Sequence, residues 1–394
     1  VRRLKDELID FIIAQQLPDG YTGCLRPQDR MSGVWDMHDM GFIIQALVAD
    51  YEFFGNGKAL EAAKRNADYI LSNWNGLSDG WETGFVTDRM ITLGLTYALE
   101  RLYALTGDRK YLDFVLRERS LATWNLPVVI GRGPMVYGHS YVYLSTCFEQ
   151  LELYRIHEKQ DRLLQASRNL LDFMVNGNGL LIDGTGGVCE CWTDDQDGEG
   201  SIGETCTVAY QLIFYDQLLK LGLADPALLG DLSERAIYNA LFGAQSRDGR
   251  KIRYYTPLNG RRKFWEPDTY CCPNNFRRWI FELADVVFLR TPEGVAVNLY
   301  SDATLRTDGL AVEMRTRYPE DGEVLLRVDA AKPLELKLRI PRWSREPDAG
   351  TWRTVALKAG RSETRLALKL EDRYVAGRAE QSGKVALMRG WSSP

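Results

Sequence analysis

The sequence predicts a mainly α-helical chain that ends in a β-sandwich. Two patterns and one switch between them carry that expectation. Over residues 1 to about 290 apolar residues recur every three or four positions, as in Ile43, Ile44, Leu47, Val48 and Tyr51, or in Val142, Leu144, Phe148, Leu151 and Tyr154. That is the face of an amphipathic helix. Short polar turns, Gly55-Asn56-Gly57-Lys58, Gly107-Asp108-Arg109-Lys110 and Glu158-Lys159-Gln160-Asp161, recur at roughly 50-residue intervals, the scale of one helical hairpin. Beyond about residue 291 the period drops to two.

The helices expected in order lie near 4–16, 40–54, 57–73, 87–104, 109–118, 139–156, 161–175, 204–221, 230–242 and 273–288. Stacked hairpins of this kind form an open solenoid or close into a toroid. A closed ring of six hairpins needs twelve helices, so the first hairpin is expected to be absent. In the tail, Leu334, Leu336, Leu338 and Ile340 alternate with Glu335, Lys337 and Arg339, and Leu366, Leu368 and Leu370 repeat the pattern. Strict alternation marks half-buried antiparallel strands. Asp308-Gly309 and Asp321-Gly322 supply the turns. The domains are therefore expected at 1–290 and 291–394, with the second as supporting structure.

Composition narrows the partners. A net charge of -5 argues against nucleic acid or an anionic membrane surface. No apolar run approaches the roughly 20 residues of a bilayer span. Seven cysteines, four of them in tight clusters, do not form a disulfide framework and favour a reducing compartment or a metal site. The expectation is a cytoplasmic chain. Because Val1 to Ile13 already reads as an amphipathic helix, a periplasmic or secreted location stays open. A homo-oligomer is compatible with the composition.

The chemistry concentrates in two segments. Cys271 and Cys272 are adjacent and run into Pro273, which is favoured at the first turn of a helix. Adjacent cysteines suit a mutual disulfide poorly. Upstream, Gly203-Glu204-Thr205-Cys206 opens another apolar helix. One carboxylate and three thiols, Glu204, Cys206, Cys271 and Cys272, are enough for a closed four-ligand zinc site. The bland alternative is a pair of inert core cysteines. Just before Glu204 a glycine-rich loop, Asp183-Gly184-Thr185-Gly186-Gly187-Val188-Cys189-Glu190-Cys191-Trp192, interrupts the helices. Long loops inside compact domains are often functional. Glu190 is the acid to watch there. Trp35, Trp81, Trp192 and Trp265 suit a sugar cleft and equally suit a helical core.

Taken together, Gly-Thr-Gly-Gly leading to Glu190, Gly203-Glu204-Thr205-Cys206, Glu234 to Leu241, Tyr254-Tyr255-Thr256-Pro257-Leu258, Cys271-Cys272-Pro273-Asn274, Val297-Asn298-Leu299-Tyr300 and Gly383 to Gly390 resemble one family. It is the β-L-arabinofuranosidase group, glycoside hydrolase family 127, with near relatives such as family 146. The resemblance implies an (α/α)6 barrel followed by a β-sandwich and zinc on Glu204, Cys206, Cys271 and Cys272. It gives Cys271 the nucleophile role and Glu190 the acid/base role. His139 matches a histidine lining the sugar pocket, and Tyr254 a tyrosine near the nucleophile; Trp192 and Trp35 are further candidates for substrate contact. The implied activity is retaining hydrolysis of a glycoside or oligosaccharide, a β-L-arabinofuranoside or a related plant-glycan sugar.

Three departures from the family pattern bear on sugar specificity. Asp194-Asp195-Gln196-Asp197-Gly198-Glu199-Gly200 replaces a Tyr-Asp-Leu-Pro-Asn segment. Gly41-Phe42 stands where Gly-His is usual, and Pro273-Asn274-Asn275 replaces a double proline. Two other classes compete. One is a carbohydrate-binding toroid with a purely structural zinc, indifferent to loss of Glu190. The other is an unsaturated-uronide hydrolase or lyase using carboxylates such as Asp39 or Asp88, indifferent to Cys271.

Overall fold

In the computed structural model, residues 2–31, 34–74, 93–129, 139–264 and 271–391 are described. Trp81, Asp88 and Trp265 lie outside them, as does the beginning of the helix expected at 87–104. The helices are α1 (Arg2–Gln15), α2 (Val34–Phe54), α3 (Gly57–Asn73), α4 (Leu95–Thr106), α5 (Arg109–Arg117), α6 (Ser140–Ile156), α7 (Gln165–Asn176), α8 (Thr205–Leu221), α9 (Pro226–Ala236) and α10 (Cys271–Glu282). The expected periodicity found each of them, most to within a few residues, but α2 begins six residues before the expected 40 and α10 ends six residues before the expected 288. The deviations of α9 have local causes. Pro226 opens α9 earlier than expected, and beyond Ala236 the chain widens into a π turn over Ile237–Leu241. No helix among the described residues is long and apolar enough to cross a membrane.

The chain divides into two compact units, Val1–Asp172 and Phe173–Pro394. In the first, α2 packs against α3 and α4, and α4 against α5 and α6. The shared core includes Met40, Ile44, Leu47, Ala63, Ile70, Leu99, Leu102 and Leu112. Gly41 permits the close crossing of α2 over the start of α4: a β-carbon there would come within 2.6 Å of the Leu95 backbone nitrogen. Asn56 and Asp108 accept backbone N–H groups at the starts of α3 and α5, so the predicted polar turns double as helix caps.

In the second unit α8 packs against α9 and α10. Strands begin at Phe288. One four-stranded sheet runs in the order β1 (Phe288–Thr291), β2 (Gly294–Val297), β6 (Leu334–Ile340), β7 (Thr351–Leu357), with β2 and β6 parallel. The other runs β3 (Ala303–Thr307), β4 (Leu310–Thr316), β5 (Glu323–Ala330), β8 (Gly360–Ala367) and is antiparallel throughout. A separate hairpin joins β9 (Asp372–Ala376) to β10 (Val385–Arg389). The fold class is thus mainly α with a β domain, and inward residues such as Val312, Met314, Leu326, Leu336, Leu338 and Leu366 are fully buried.

One alternation reading fails instructively. Arg339, expected on the wet face of β6, has no exposed surface. Its guanidinium pairs with Asp231 and Glu234 of α9, and its Nε donates to the Asn298 carbonyl at 2.6 Å. Asp231 also accepts the Arg342 backbone N–H at 2.9 Å. Gly230 makes room for this, since a β-carbon there would meet the Arg339 side chain at 2.4 Å. Burial pushes the Asp231 carboxyl up to about 6, against the pull of Arg339. Replacing Arg339 by Met strands two buried carboxylates. The expected cost is about 3–5 kcal/mol of unfolding free energy, measured by chemical denaturation; a loss under about 1 kcal/mol would show that the network carries no net stability.

Candidate active site

Two helix starts and one hairpin build the site in the second unit. Glu204 caps α8, and Cys206 lies in its first turn. Cys271 and Cys272 open α10. The N-terminus of a helix carries partial positive charge, and sulfur held there is more easily ionised. The segment Arg253–Thr256 runs alongside Ile202–Thr205: Thr205 N donates to the Tyr254 carbonyl at 2.9 Å, Thr256 N to the Ile202 carbonyl at 2.9 Å, and the Thr205 hydroxyl to the Arg253 carbonyl at 2.8 Å. This pairing fixes Tyr254 beside Glu204.

The ligand atoms of Glu204, Cys206, Cys271 and Cys272 all lie within 4.8 Å of one another. Cys206 Sγ is 3.5 Å from Cys272 Sγ, and Cys271 Sγ is 4.0 Å from Glu204 Oε1. These are no disulfides; all the cysteines are free thiols. Ligands around a tetrahedral ion with Zn–S bonds of about 2.3 Å stand roughly 3.6–3.8 Å apart, close to the spacings observed. The donor set therefore fits a thiophilic divalent cation, as the sequence led us to expect. Thr207 donates to Glu204 Oε2 at 2.9 Å and holds the carboxylate by its other oxygen.

Electrostatics separate the three sulfurs. Burial pushes Cys206, Cys272 and Glu204 well above their ordinary values. Cys271 moves the other way, because hydrogen bonds from Cys206 and Cys272 stabilise its thiolate. It is also only half-buried, whereas Cys206 and Cys272 are fully buried. The most ionised sulfur is the most accessible one.

Glu190 sits at the tip of a two-residue hairpin. Val188 and Cys191 exchange backbone hydrogen bonds of 2.8 and 3.0 Å, and Val188 also bridges to Ile202. Cys189 and Glu190 take φ values of 47° and 67°. A turn with two positive φ angles favours Asn-Gly. Side chains held there carry strain of order 1 kcal/mol or more each, so the surrounding contacts must hold the tip. The hydroxyls of Tyr254 and Tyr255 both donate to Glu190 Oε1, the second at 3.1 Å. The Glu190 charge acts on both Glu204 and Cys271, which puts acid and thiolate in one neighbourhood.

The remaining candidates have the following surroundings. Trp192 is core: it is 1% exposed and stands edge-on to Phe173, with Gly186 leaving space for its ring. His139 and Trp35 belong to the first unit. There His139 is buried at the start of α6, edge-on to Tyr141, and Trp35 is half exposed beside His38. Sequence reasoning gave no role to Tyr255, Thr207 or Asn275. The Tyr254-Tyr255 doublet was the available signal for the first, and the Pro273-Asn274-Asn275 departure for the third; nothing local marks Thr207.

A family model described as the β-L-arabinofuranosidase GH127 catalytic domain matches residues 1–285, and one described as the GH127 middle domain matches residues 294–392. A non-reducing end β-L-arabinofuranosidase of Bifidobacterium longum is 25% identical over 475 residues, covering 99% of this chain and 71% of that protein. The crystal structure of a GH127 β-L-arabinofuranosidase from Geobacillus stearothermophilus T6 superposes with a TM-score of 0.77 at 22% identity, over 100% of this chain and 72% of that one. A second GH127 β-arabinofuranosidase structure gives a TM-score of 0.78 at 21% identity, over 100% of this chain and 72% of that one.

The sulfur chemistry has a direct readout. In metal-stripped protein, Cys271 should be alkylated by iodoacetamide faster than Cys206 and Cys272. An ordinary thiol with a pKa near 8.5 slows roughly tenfold per pH unit below that value. The lowered pKa of Cys271 means that its thiolate persists as pH falls from 8 to 6 and is lost only at lower pH. Peptide mass spectrometry at the two pH values should show a change of only a few-fold for Cys271; a fall of about a hundredfold would mean an ordinary thiol.

Proposed function

The chain belongs to the β-L-arabinofuranosidase family GH127 and is a glycosidase, and on that premise we propose that it hydrolyses β-L-arabinofuranosides, or a closely related plant-glycan sugar, with retention at the anomeric carbon. The observation that supports this reading is the convergence of the half-exposed Cys271 with Glu204, Cys206 and Cys272, with Glu190 held beside Glu204 by Tyr254; hydrogen bonds from Cys206 and Cys272 favour the Cys271 thiolate. Zinc, on this reading, is held by Glu204, Cys206, Cys271 and Cys272. When bound it supplies positive charge that keeps the sulfurs ionised in a buried site.

The protein's own groups then act in two displacements. Cys271 Sγ attacks the anomeric carbon while protonated Glu190 gives its proton to the departing glycosidic oxygen. A C–S bond forms, the C–O bond breaks, and the aglycone leaves as an alcohol. Glu190, now a carboxylate, takes a proton from water. That water attacks the anomeric carbon from the vacated face, the C–S bond breaks, and the thiolate is regenerated. Two inversions give net retention. Tyr254 and Tyr255 hold Glu190 through one oxygen, which supports a fixed aim for its acid/base work. Four protein ligands leave no open coordination place for water, which favours the thiolate over a metal-bound hydroxide.

Three measurements test the proposal. Cys271→Ser should abolish turnover of aryl β-L-arabinofuranosides, because a hydroxyl is a far weaker nucleophile than a thiolate. Glu190→Gln should slow substrates with poor leaving groups by about 10²–10⁴ and activated aryl glycosides much less. Proton NMR should show the β anomer as the first-formed sugar. First appearance of the α anomer would overturn the thiolate mechanism, since a single displacement leaves no role for a cysteine adduct.

A further inference from the structure

The environment of the three sulfurs extends past the four ligands to one neutral side chain. Asn275 stands on α10 three residues after Cys272 and four after Cys271, so the helical period brings it to the same face. Its Nδ2 donates to Cys206 Sγ at 3.1 Å. Cys206 belongs to α8, so this amide ties the sulfur of one helix to the helix that carries the other two. The bond is short for a donor on sulfur, and Asn275 is half-buried, where competing water is reduced. An N–H aimed at a thiolate withdraws electron density from it. The sulfur becomes a poorer nucleophile, and the bond holds it in one place.

We infer that Asn275 is a positioning residue of the metal centre: its amide holds Cys206 as a spectator ligand and sets the affinity of the four-ligand cluster for zinc. This rests on the metal-centre reading proposed above. Groups that orient a metal ligand from behind typically change metal affinity 10–100-fold when removed.

The experiment uses the full chain and two variants. Asn275→Leu keeps the volume and removes the donor; Asn275→Asp keeps the shape and turns acceptor oxygens toward the sulfur. Zinc affinity is measured by competition with a chromophoric chelator, and the cobalt-substituted proteins are compared by their near-ultraviolet thiolate-to-metal absorption. Circular dichroism reports folding, and should Asn275→Leu fail to fold, Asn275→Asp carries the test. Both variants should bind zinc about 10–100-fold more weakly than the parent chain, because Cys206 is no longer held in its place, and the cobalt band should shift because the hydrogen bond on the Cys206 sulfur is gone. Affinities within twofold of the parent chain, with an unmoved cobalt band, would overturn the role of Asn275 while leaving the metal centre standing. A parent chain that binds neither zinc nor cobalt would overturn the metal centre itself, and the role of Asn275 with it.

Discussion

Four acidic ligand groups, three of them fully buried, lie within 4.8 Å of one another and form the constraint on which the site depends. Ionised together in a low-dielectric pocket, they would repel strongly. Protonated together, they would waste the positive ends of two helices. The protein relieves the conflict by concentrating charge on Cys271 and suppressing it on Cys206, Cys272 and Glu204. A divalent cation would relieve it further, by compensating all four. Crowding that is unfavourable for stability is what suits the cluster to a cation.

The same trade governs Glu190. Its hairpin tip uses two positive-φ residues where Asn-Gly would rest more easily. The strain is held by a small sheet of backbone hydrogen bonds, in which Val188 meets Ile202 and Thr256 meets Ile202 from the other side. The segments that carry Glu190, Glu204 and Tyr254 are thereby one structural piece. Their shared hydrogen bonds keep Glu190 in register with Glu204 and Tyr254. Strain of this kind is characteristic of residues placed for chemistry rather than for stability.

Away from the cysteine cluster, buried charge joins the sandwich to α9. Arg339 reaches from β6 to Asp231 and Glu234, and Tyr318 donates to the same Glu234. A buried ion pair is a weak way to gain stability but a strict way to set geometry, because only one arrangement satisfies every donor. Here that geometry fixes α9, the partner of α8, whose first turn carries Cys206.

Much was legible in the sequence because it depends on neighbours along the chain. Helical periodicity placed α3 and α6 almost to the residue, and Asp308-Gly309 marked a two-residue hairpin now seen between β3 and β4. The Glu-x-Cys and Cys-Cys-Pro segments named the four groups that converge, since one carboxylate and three thiols at helix starts have few other uses. What lay beyond reach depends on contacts between distant segments. Arg339 looked like a surface residue because alternation knows nothing of the carboxylates on α9. Trp192 looked like a sugar platform because composition cannot tell a cleft from a core. Tyr255 and Asn275 gained their partners, Glu190 and Cys206, across 65 and 69 residues of chain. The sequence alone named the carboxylate and thiols that converge; only the tertiary structure decided which sulfur is half-exposed and most easily ionised, because burial and hydrogen bonding are properties of the assembled fold.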